Sequence, residues 1–248
     1  MIEIIAKKGT ELSEKELQQI TNIAQKANPA FPDNYITHFH IERYNPIFYM
    51  HKLEGKTVAV QAFFNRKLKT SFHQKPLEII FVSVVFKDTE ADHYIKNFAK
   101  KGNILFLKRT LGQFWFLRKF LFIFQTYNPK AIERISPAFY EVYPKIDMPV
   151  SEKVYDFVRS FIDNHLKSDE IELSDYLIRK NKFDVPVPIT EVWKSAYQSK
   201  SEKLNAFFMQ HEIISKKNTS YFLEGRAVFF VGYYNFWKKL KQKFLPKL

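Results

Sequence analysis

The sequence contains no cysteine and only 6 glycines among its 248 residues. The absence of thiols excludes disulfides and thiolate zinc sites. The scarcity of glycine argues against nucleotide-binding folds built on Gly-rich loops, and neither a Walker nor a Rossmann glycine pattern is present. There is no Gly-x-Ser-x-Gly elbow, and Ser83 has no adjacent base in the sequence. Long hydrophobic runs are also missing. The most apolar stretch, Phe114 to Phe124, is broken by Arg118 and Lys119 and is too short to span a bilayer. The opening, MIEIIAKKGTELSEKEL, has no apolar h-region and no small-residue cleavage site, so it does not read as a secretory signal. A reduced, cytoplasmic compartment is the expectation.

What is present is apolar, aromatic and basic. Hydrophobic residues make up 46% and aromatics 17%, with 26 Phe and 13 Tyr, enough to fill a core without recourse to disorder. The length suits one large domain or a domain with an extension. A net charge of +13 with a pI near 9.6 predicts attraction to something anionic: nucleic acid, a membrane surface or a phosphorylated ligand. A generically basic surface with no dedicated partner is equally compatible with that charge.

Hydrophobic periodicity then predicts the elements. Residues 2–6 read as a short β-branched strand. Ser13 as N-cap, Glu16 three residues later and a Leu12–Leu17 staple start a helix over roughly 14–27, and Asn28-Pro29 ends it. Residues 28–46, with three prolines, read as an irregular connection or short helix. Two strands, Ile47 to Leu53 and Thr57 to Leu68, flank a Glu54-Gly55-Lys56 turn. Leu77 to Phe86 is a nearly continuous apolar run, as expected of a strand buried on both faces. Gly102-Asn103 opens a predicted helix to about Lys119. Leu121 to Gln125 is a further strand, and Pro129 to Val142 reads as helical with a kink or break at Pro137. After Pro144 the composition shifts. A helix follows Ser151, a strand spans 226–234, and a basic tail helix closes the chain. The expected organisation is a 1–144 core with a 145–248 extension.

This order of elements resembles the GNAT (GCN5-related N-acyltransferase) superfamily, and three segments carry the resemblance. The first is the hairpin followed by the apolar strand 77–86. The second is Phe98-Ala99-Lys100-Lys101-Gly102-Asn103 before a helix, similar to the family's pyrophosphate loop. It keeps one Gly and two lysines, lacks the family's leading Arg or Gln, and has Ile104 at the second small position. The third is Gln125-Thr126-Tyr127-Asn128-Pro129 followed by Ala138-Phe139-Tyr140-Glu141-Val142-Tyr143, which resembles the family's closing Phe-Tyr-Glu segment.

The resemblance implies an α/β fold with a mixed central β-sheet flanked by helices. It implies acetyl-CoA or a longer acyl-CoA as co-substrate. It implies N-acyl transfer by direct attack of a small-molecule amine or a protein acceptor, since no cysteine is available for an acyl-enzyme. The pantetheine arm would pair with the backbone of Val84, Val85 and Phe86. The pyrophosphate would sit on Lys100, Lys101, Gly102 and Asn103, where unpaired N–H groups at a helix start carry partial positive charge. Asn128 would contact the cofactor. Tyr140, with Tyr143 second, would protonate the departing thiolate, and Glu78 would take the proton from the ammonium nucleophile. Each has a plainer alternative: a Gly-containing basic turn, a core tyrosine with a bonded hydroxyl, a carboxylate at an exposed strand start. A non-catalytic module of the same fold, binding nucleic acid, anionic lipid or a protein partner through its basic surface, is the second reading.

Two further features fall outside this resemblance. His38 and His40, read as an extended segment, would share one side with Glu42 near them. Two imidazoles without a third suit polar loop residues better than ligands, and no metal is expected. The tail 237–247 interleaves lysines with Trp237, Leu240 and Phe244. It suits an anionic membrane surface or nucleic-acid phosphates, or a terminal helix docked through its apolar side.

Overall fold

The computed structural model describes residues 2–29, 31–70, 72–91, 95, 97–166, 171–180, 186–189 and 197–244. The strands are β1 (Ile2–Lys8), β2 (Ile47–Leu53), β3 (Lys56–Thr70), β4 (His73–Lys87), β5 (Lys119–Thr126), β6 (Glu141–Tyr143), β7 (Ile178–Arg179), β8 (Val187–Ile189), β9 (Ile214–Lys217), β10 (Ser220–Leu223) and β11 (Ala227–Asn235). The helices are α1 (Glu14–Ala27), α2 (Glu42–Tyr44), α3 (Phe98–Leu111), α4 (Pro129–Ile135), α5 (Glu152–Phe161), α6 (Glu202–Gln210) and α7 (Phe236–Phe244). The fold is α/β. The main sheet has the strand order β1-β2-β3-β4-β5-β11-β6, with β7 also on β11, and a three-stranded sheet has the order β8-β10-β9. Helix α3 lies between β4 and β5 along the chain, and the β1–β2, β2–β3 and β5–β11 pairs are antiparallel.

The chain forms two compact units, residues 1–66 with 80–116, and residues 67–79 with 117–248. In the first, α1 lies on one face of β2 and β3. Its apolar stripe, Ile20 and Ala24, packs with Phe48, Met50, Val60, Ala62 and Val84. The start of α1 is fastened by Glu16. Its carboxylate accepts from Ser13 N–H at 3.0 Å, and Ser13 Oγ accepts from Glu16 N–H, completing the capping box. Lys7 of β1 and Lys52 of β2 reach the same carboxylate at 2.9 and 2.8 Å. One buried residue therefore ties a helix start to two strands.

Helix α3 covers the face of β2 and β3 that carries Tyr49, His51, Gln61 and Phe63. Tyr49 pairs opposite Gln61 across the ladder, and period-2 alternation places His51 and Phe63 on the same side. Three positions of α3 spaced by four residues meet them. The Phe98 ring lies 5.8 Å from His51, and Phe106 lies 6.2 Å from Tyr49 and stacks on Phe63 at 4.7 Å. Between them, a Cβ on Gly102 would stand 2.0 Å from Gln61 Oε1. Gly102 is thus an interior helix residue placed for close packing. This corrects the expectation that it precedes the helix. The helix begins at Phe98 and ends at Leu111, and its αL-turned N-cap is Asn97.

In the second unit β11 pairs with β5 over eight residues and carries β6 and β7 on its other side. A close approach recurs at Gly232, where a Cβ would meet the Phe139 ring at 2.6 Å. Phe139 lies 5.6 Å from Phe122 and 5.8 Å from Phe230. Helix α6 packs Leu204, Phe207 and Phe208 with Ile213, Leu223 and Val228. The segment expected to be helical to Val142 is helical only over Pro129–Ile135. Ser136–Ala138 tightens into a 3₁₀ turn and residues 141–143 become a strand, because Pro137 cannot continue an α-helix and Phe139 is drawn onto Gly232.

Two predictions follow from the first unit. Gly102→Ala should cost about 1–2 kcal/mol in the parent, since overpacking outweighs the better helix propensity of alanine. The same substitution should become stabilising in a Gln61→Ala background, as measured by denaturant unfolding. The second prediction concerns acid. His51 is fully buried, and burial, with the Lys101 charge second, depresses its pKa to about 4. An unfolded histidine takes its proton near 6.5, so this contribution is complete above pH 6.5 and is lost as the pH falls toward 4, by ~1.4 kcal/mol per pH unit at most. For Glu16, burial raises the pKa, but hydrogen bonds from Lys52, Lys7 and Ser13 outweigh it and bring the value from 4.5 to about 2. That contribution is lost only as the pH falls through 4.5 toward 2. His51→Leu should remove the loss of stability between pH 6.5 and 4.5. Glu16→Gln should lower stability at pH 7 by about 2–3 kcal/mol, with a difference from the parent that shrinks below pH 4.

Candidate functional site

The candidate residues divide between the two units. Val84, Val85, Phe86, Lys100, Lys101, Gly102 and Asn103 lie in the first, and Glu78, Asn128, Tyr140 and Tyr143 in the second. In the first unit, strand β4 is buried continuously from Ile79 to Val82. It then alternates: Val84 is in the core under α1, Val85 is 46% exposed and Phe86 is half-buried. Of the three residues expected to meet a cofactor arm, Val85 alone turns its side chain out.

The start of α3 holds the basic segment. The first intrahelical bond here runs from Lys101 N–H to Asn97 C=O at 3.1 Å, so the N–H groups of Phe98, Ala99 and Lys100 precede the helical ladder. The Asn97 side chain makes no capping bond. Lys100 and Lys101 are exposed on this turn. Gly102 and Asn103 belong to the helix body instead: Gly102 faces Gln61, and Asn103 Oδ1 accepts from Gln61 Nε2 at 3.0 Å. An anion at this helix end would therefore meet the N–H groups of residues 98–100 and the two lysines, one turn earlier than the sequence pattern suggests. The chemistry of that donor set fits a diphosphate.

In the second unit, Asn128 is the N-cap of α4. Its Oδ1 accepts from Lys130 N–H at 2.9 Å, its own N–H donates to Thr126 Oγ1 at 2.9 Å, and Pro129 occupies the first helical position. Its carbonyl oxygen is engaged in holding the strand-to-helix turn.

Tyr140 does not lie on a helix. It immediately precedes β6, donating its N–H to Tyr233 C=O at 3.0 Å, with its ring 6.4 Å from that of Tyr233. Lys238 Nζ stands 5.1 Å from the Tyr140 ring centroid. Tyr140 is half-buried. Tyr143 is differently placed, since its hydroxyl donates to Glu141 Oε1 at 2.6 Å. Burial, and then the Glu141 carboxylate, push its pKa up, so the proton stays on Tyr143 and is committed to Glu141. The Glu141 partner was legible in principle: residues i and i+2 share a face on a strand, and only the helical reading of 129–142 hid it. Glu78 lies half-buried on the first part of β4, between buried Leu77 and Ile79.

The histidine pair separates. Residues 37–41 form a π-helical turn, with His38 Nδ1 3.0 Å from Glu42 and His40 buried among Tyr35 and Tyr44. Their side chains do not share one side of an extended segment, as had been expected. No group of three or more metal-ligating side chains occurs among the described residues. In the tail, Lys238 lies over aromatic rings and Lys239 donates to the Pro137 carbonyl, so the first turn of α7 is engaged with its own unit, while Trp237 is 56% exposed. The side chains of Lys243 and Phe244, and residues 245–248, lie outside the described residues. Among the described residues, no helix is long and apolar enough to cross a membrane.

No protein-family model and no curated protein matches this sequence. Several solved structures are similar to it. A GNAT family acetyltransferase from Elizabethkingia anophelis with acetyl-CoA bound is similar over 93% of this chain and 97% of its own, at 10% identity and a TM-score of 0.36. Escherichia coli ElaA is similar over 58% of this chain and 93% of its own, at 14% identity and a TM-score of 0.37. An acyl-CoA N-acyltransferase from Pseudomonas aeruginosa is similar over 51% of this chain and 80% of its own, at 10% identity and a TM-score of 0.36. Identities and scores this low transfer no residue role to the chain.

Proposed function

We propose that this chain is an acyl-CoA-dependent N-acyltransferase that transfers its acyl group directly to an amine. The observation that carries the reading is the start of α3: a 14-residue helix with three N–H groups ahead of its ladder, no side-chain cap, and Lys100 and Lys101 exposed on the same turn. Such a terminus offers backbone donors, dipole and two cations to a diphosphate. The buried strand β4 precedes it in the same unit. In this reading the backbone of Val84, Val85 and Phe86 holds the pantetheine arm.

The amine attacks the thioester carbonyl carbon, the new C–N bond forms, and the C–S bond breaks. Glu78, directly or through water, takes a proton from the ammonium acceptor, and Tyr140 gives its proton to the leaving sulfur. Glu141 contributes by holding the Tyr143 proton, which reserves the role for Tyr140. With no cysteine in the chain, no thioester on the protein intervenes. Asn128 acts by capping α4. Gly102 favours a second reading, a non-catalytic module of the same fold that binds nucleic acid, anionic lipid or a protein partner through its basic surface. In this chain Gly102 serves the packing of Gln61 instead of a close approach by a cofactor.

Calorimetric titration with acetyl-CoA and longer acyl-CoAs tests the first step, and thiol release in the presence of amines tests the second. Lys100→Glu with Lys101→Glu should weaken CoA binding at least tenfold at an unchanged melting temperature; undiminished affinity would move the diphosphate elsewhere. Tyr140→Phe retains the ring and should lower turnover by roughly 10²–10⁴-fold, the usual worth of a positioned acid. Turnover at the parental rate removes Tyr140 from the chemistry. No binding of any acyl-CoA and no thiol release toward any amine supports the non-catalytic reading.

A further inference from the structure

Between Asp92 and Glu133 the sequence carries no acidic residue, while residues 93–132 include eight lysines and arginines. Residues 55–77 and 225–248 also lack carboxylates, but this stretch is the longest. The centre of this stretch is the end of α3 and the turn that follows it, all within the first unit. Gly112 closes the helix at φ 88°, its N–H bonding back to Lys108 C=O at 3.0 Å, and Trp115 N–H returns to Gly112 C=O at 3.0 Å. The turn is therefore held by backbone bonds, and what it presents is apolar. Phe114 is 68% exposed and Phe116 39%, and on the adjoining helix face Leu105 is 39% exposed beside the exposed Lys108 and Arg109. Positions 105, 108 and 109 share one face of the helix by the three-and-four spacing.

Large exposed aromatics at the tip of an ordered turn, beside cations and far in sequence from any carboxylate, match the chemistry of an anionic bilayer surface. We infer that the end of α3 and the 112–116 turn form a docking site for anionic lipid, with Phe114 entering the headgroup–acyl boundary and Lys108 facing the lipid phosphates, while Arg109 is engaged with Tyr49 beneath the helix. Charge complementarity is the argument for this occupant: aromatic rings favour the membrane interface, and each neighbouring cation adds attraction to an anionic leaflet. A single-stranded nucleic acid fits less well. Base stacking requires free ring faces in parallel reach, but Phe114 and Phe116 sit edge to face, 6.3 Å apart at 69°. Leu105 offers area without a stacking face. The site is separate from the start of α3 and stands whether or not the chain turns over acyl-CoA.

The test is flotation of the full chain with vesicles of phosphatidylcholine alone and of phosphatidylcholine with phosphatidylserine, at low and high salt. The parent should float with the anionic vesicles at least tenfold more than with the neutral ones, and high salt should reduce that. Phe114→Ser should lower the partition at least tenfold at an unchanged melting temperature, because the ring is 68% exposed. Lys108→Glu should lower it about fivefold. Lys241→Glu, on the exposed side of α7, should leave it intact. Equal flotation with both vesicle types, full binding by Phe114→Ser, or loss of binding in Lys241→Glu equal to that of Phe114→Ser overturns the proposal. So does tighter binding to an oligouridylate than to the vesicles.

Discussion

The missing side chain of Gly102 sets the distance at which α3 meets β2 and β3. A helix normally stands off a sheet by the thickness of its contact side chains. Here the contact residue has none, so Gln61 fits where a Cβ would be. Because Gly102 is down on the sheet, the residues four before and four after it must be down as well. Phe98 and Phe106 therefore close over His51 and over Tyr49 and Phe63, and the polar side chains of His51 and Gln61 become interior. Lys100, Lys101 and Lys108 are turned away from the sheet by the same geometry and are exposed. One close approach thus fixes which groups are buried, which are basic surface, and where the helix start points its N–H groups.

That packing has a polar cost. Gln61 satisfies its amide N–H with Asn103, but its Oε1 makes no hydrogen bond among the described residues, and neither ring nitrogen of His51 does. Unpaired buried polar atoms are uncommon because each forfeits its hydration. The surrounding aromatic contacts offset this loss, and the imidazole stays neutral over the physiological range as a result. Glu16 works in the opposite sense. It is also buried, but it is surrounded by donors, so its charge is retained and joins α1, β1 and β2. The first unit thus keeps one buried ionisable group neutral and another charged, and the difference lies in the donors each has within reach.

In the second unit Gly232 repeats the device. The Phe139 ring rests where a side chain would otherwise stand on β11, and the following residue, Tyr140, is locked by its N–H to Tyr233. Alternation along β6 then sends Glu141 and Tyr143 to a common side, where they bond. The orientation of Tyr140 is a consequence of where Phe139 packs.

Much of the local structure was legible from the residues themselves. The capping box at Ser13, the apolar stripe of α1, the strand pattern over 47–53 and the buried run of β4 depend on interactions within a few residues, so sequence spacing suffices to find them. The placement of α3 and the end of α4 did not follow from spacing. Gly102 looks like a helix opener until Gln61, 41 residues away, is found beneath it, and the end of α4 looks like a mere kink until Phe139 is drawn onto Gly232, 93 residues away. The types of side chain available to the candidate site, two lysines, an Asn-Pro turn and a Tyr-rich segment, came from the sequence alone. Which of them face outward and which are taken into the interior were decided by tertiary packing, because close approach and burial are relations between distant residues that no local pattern encodes.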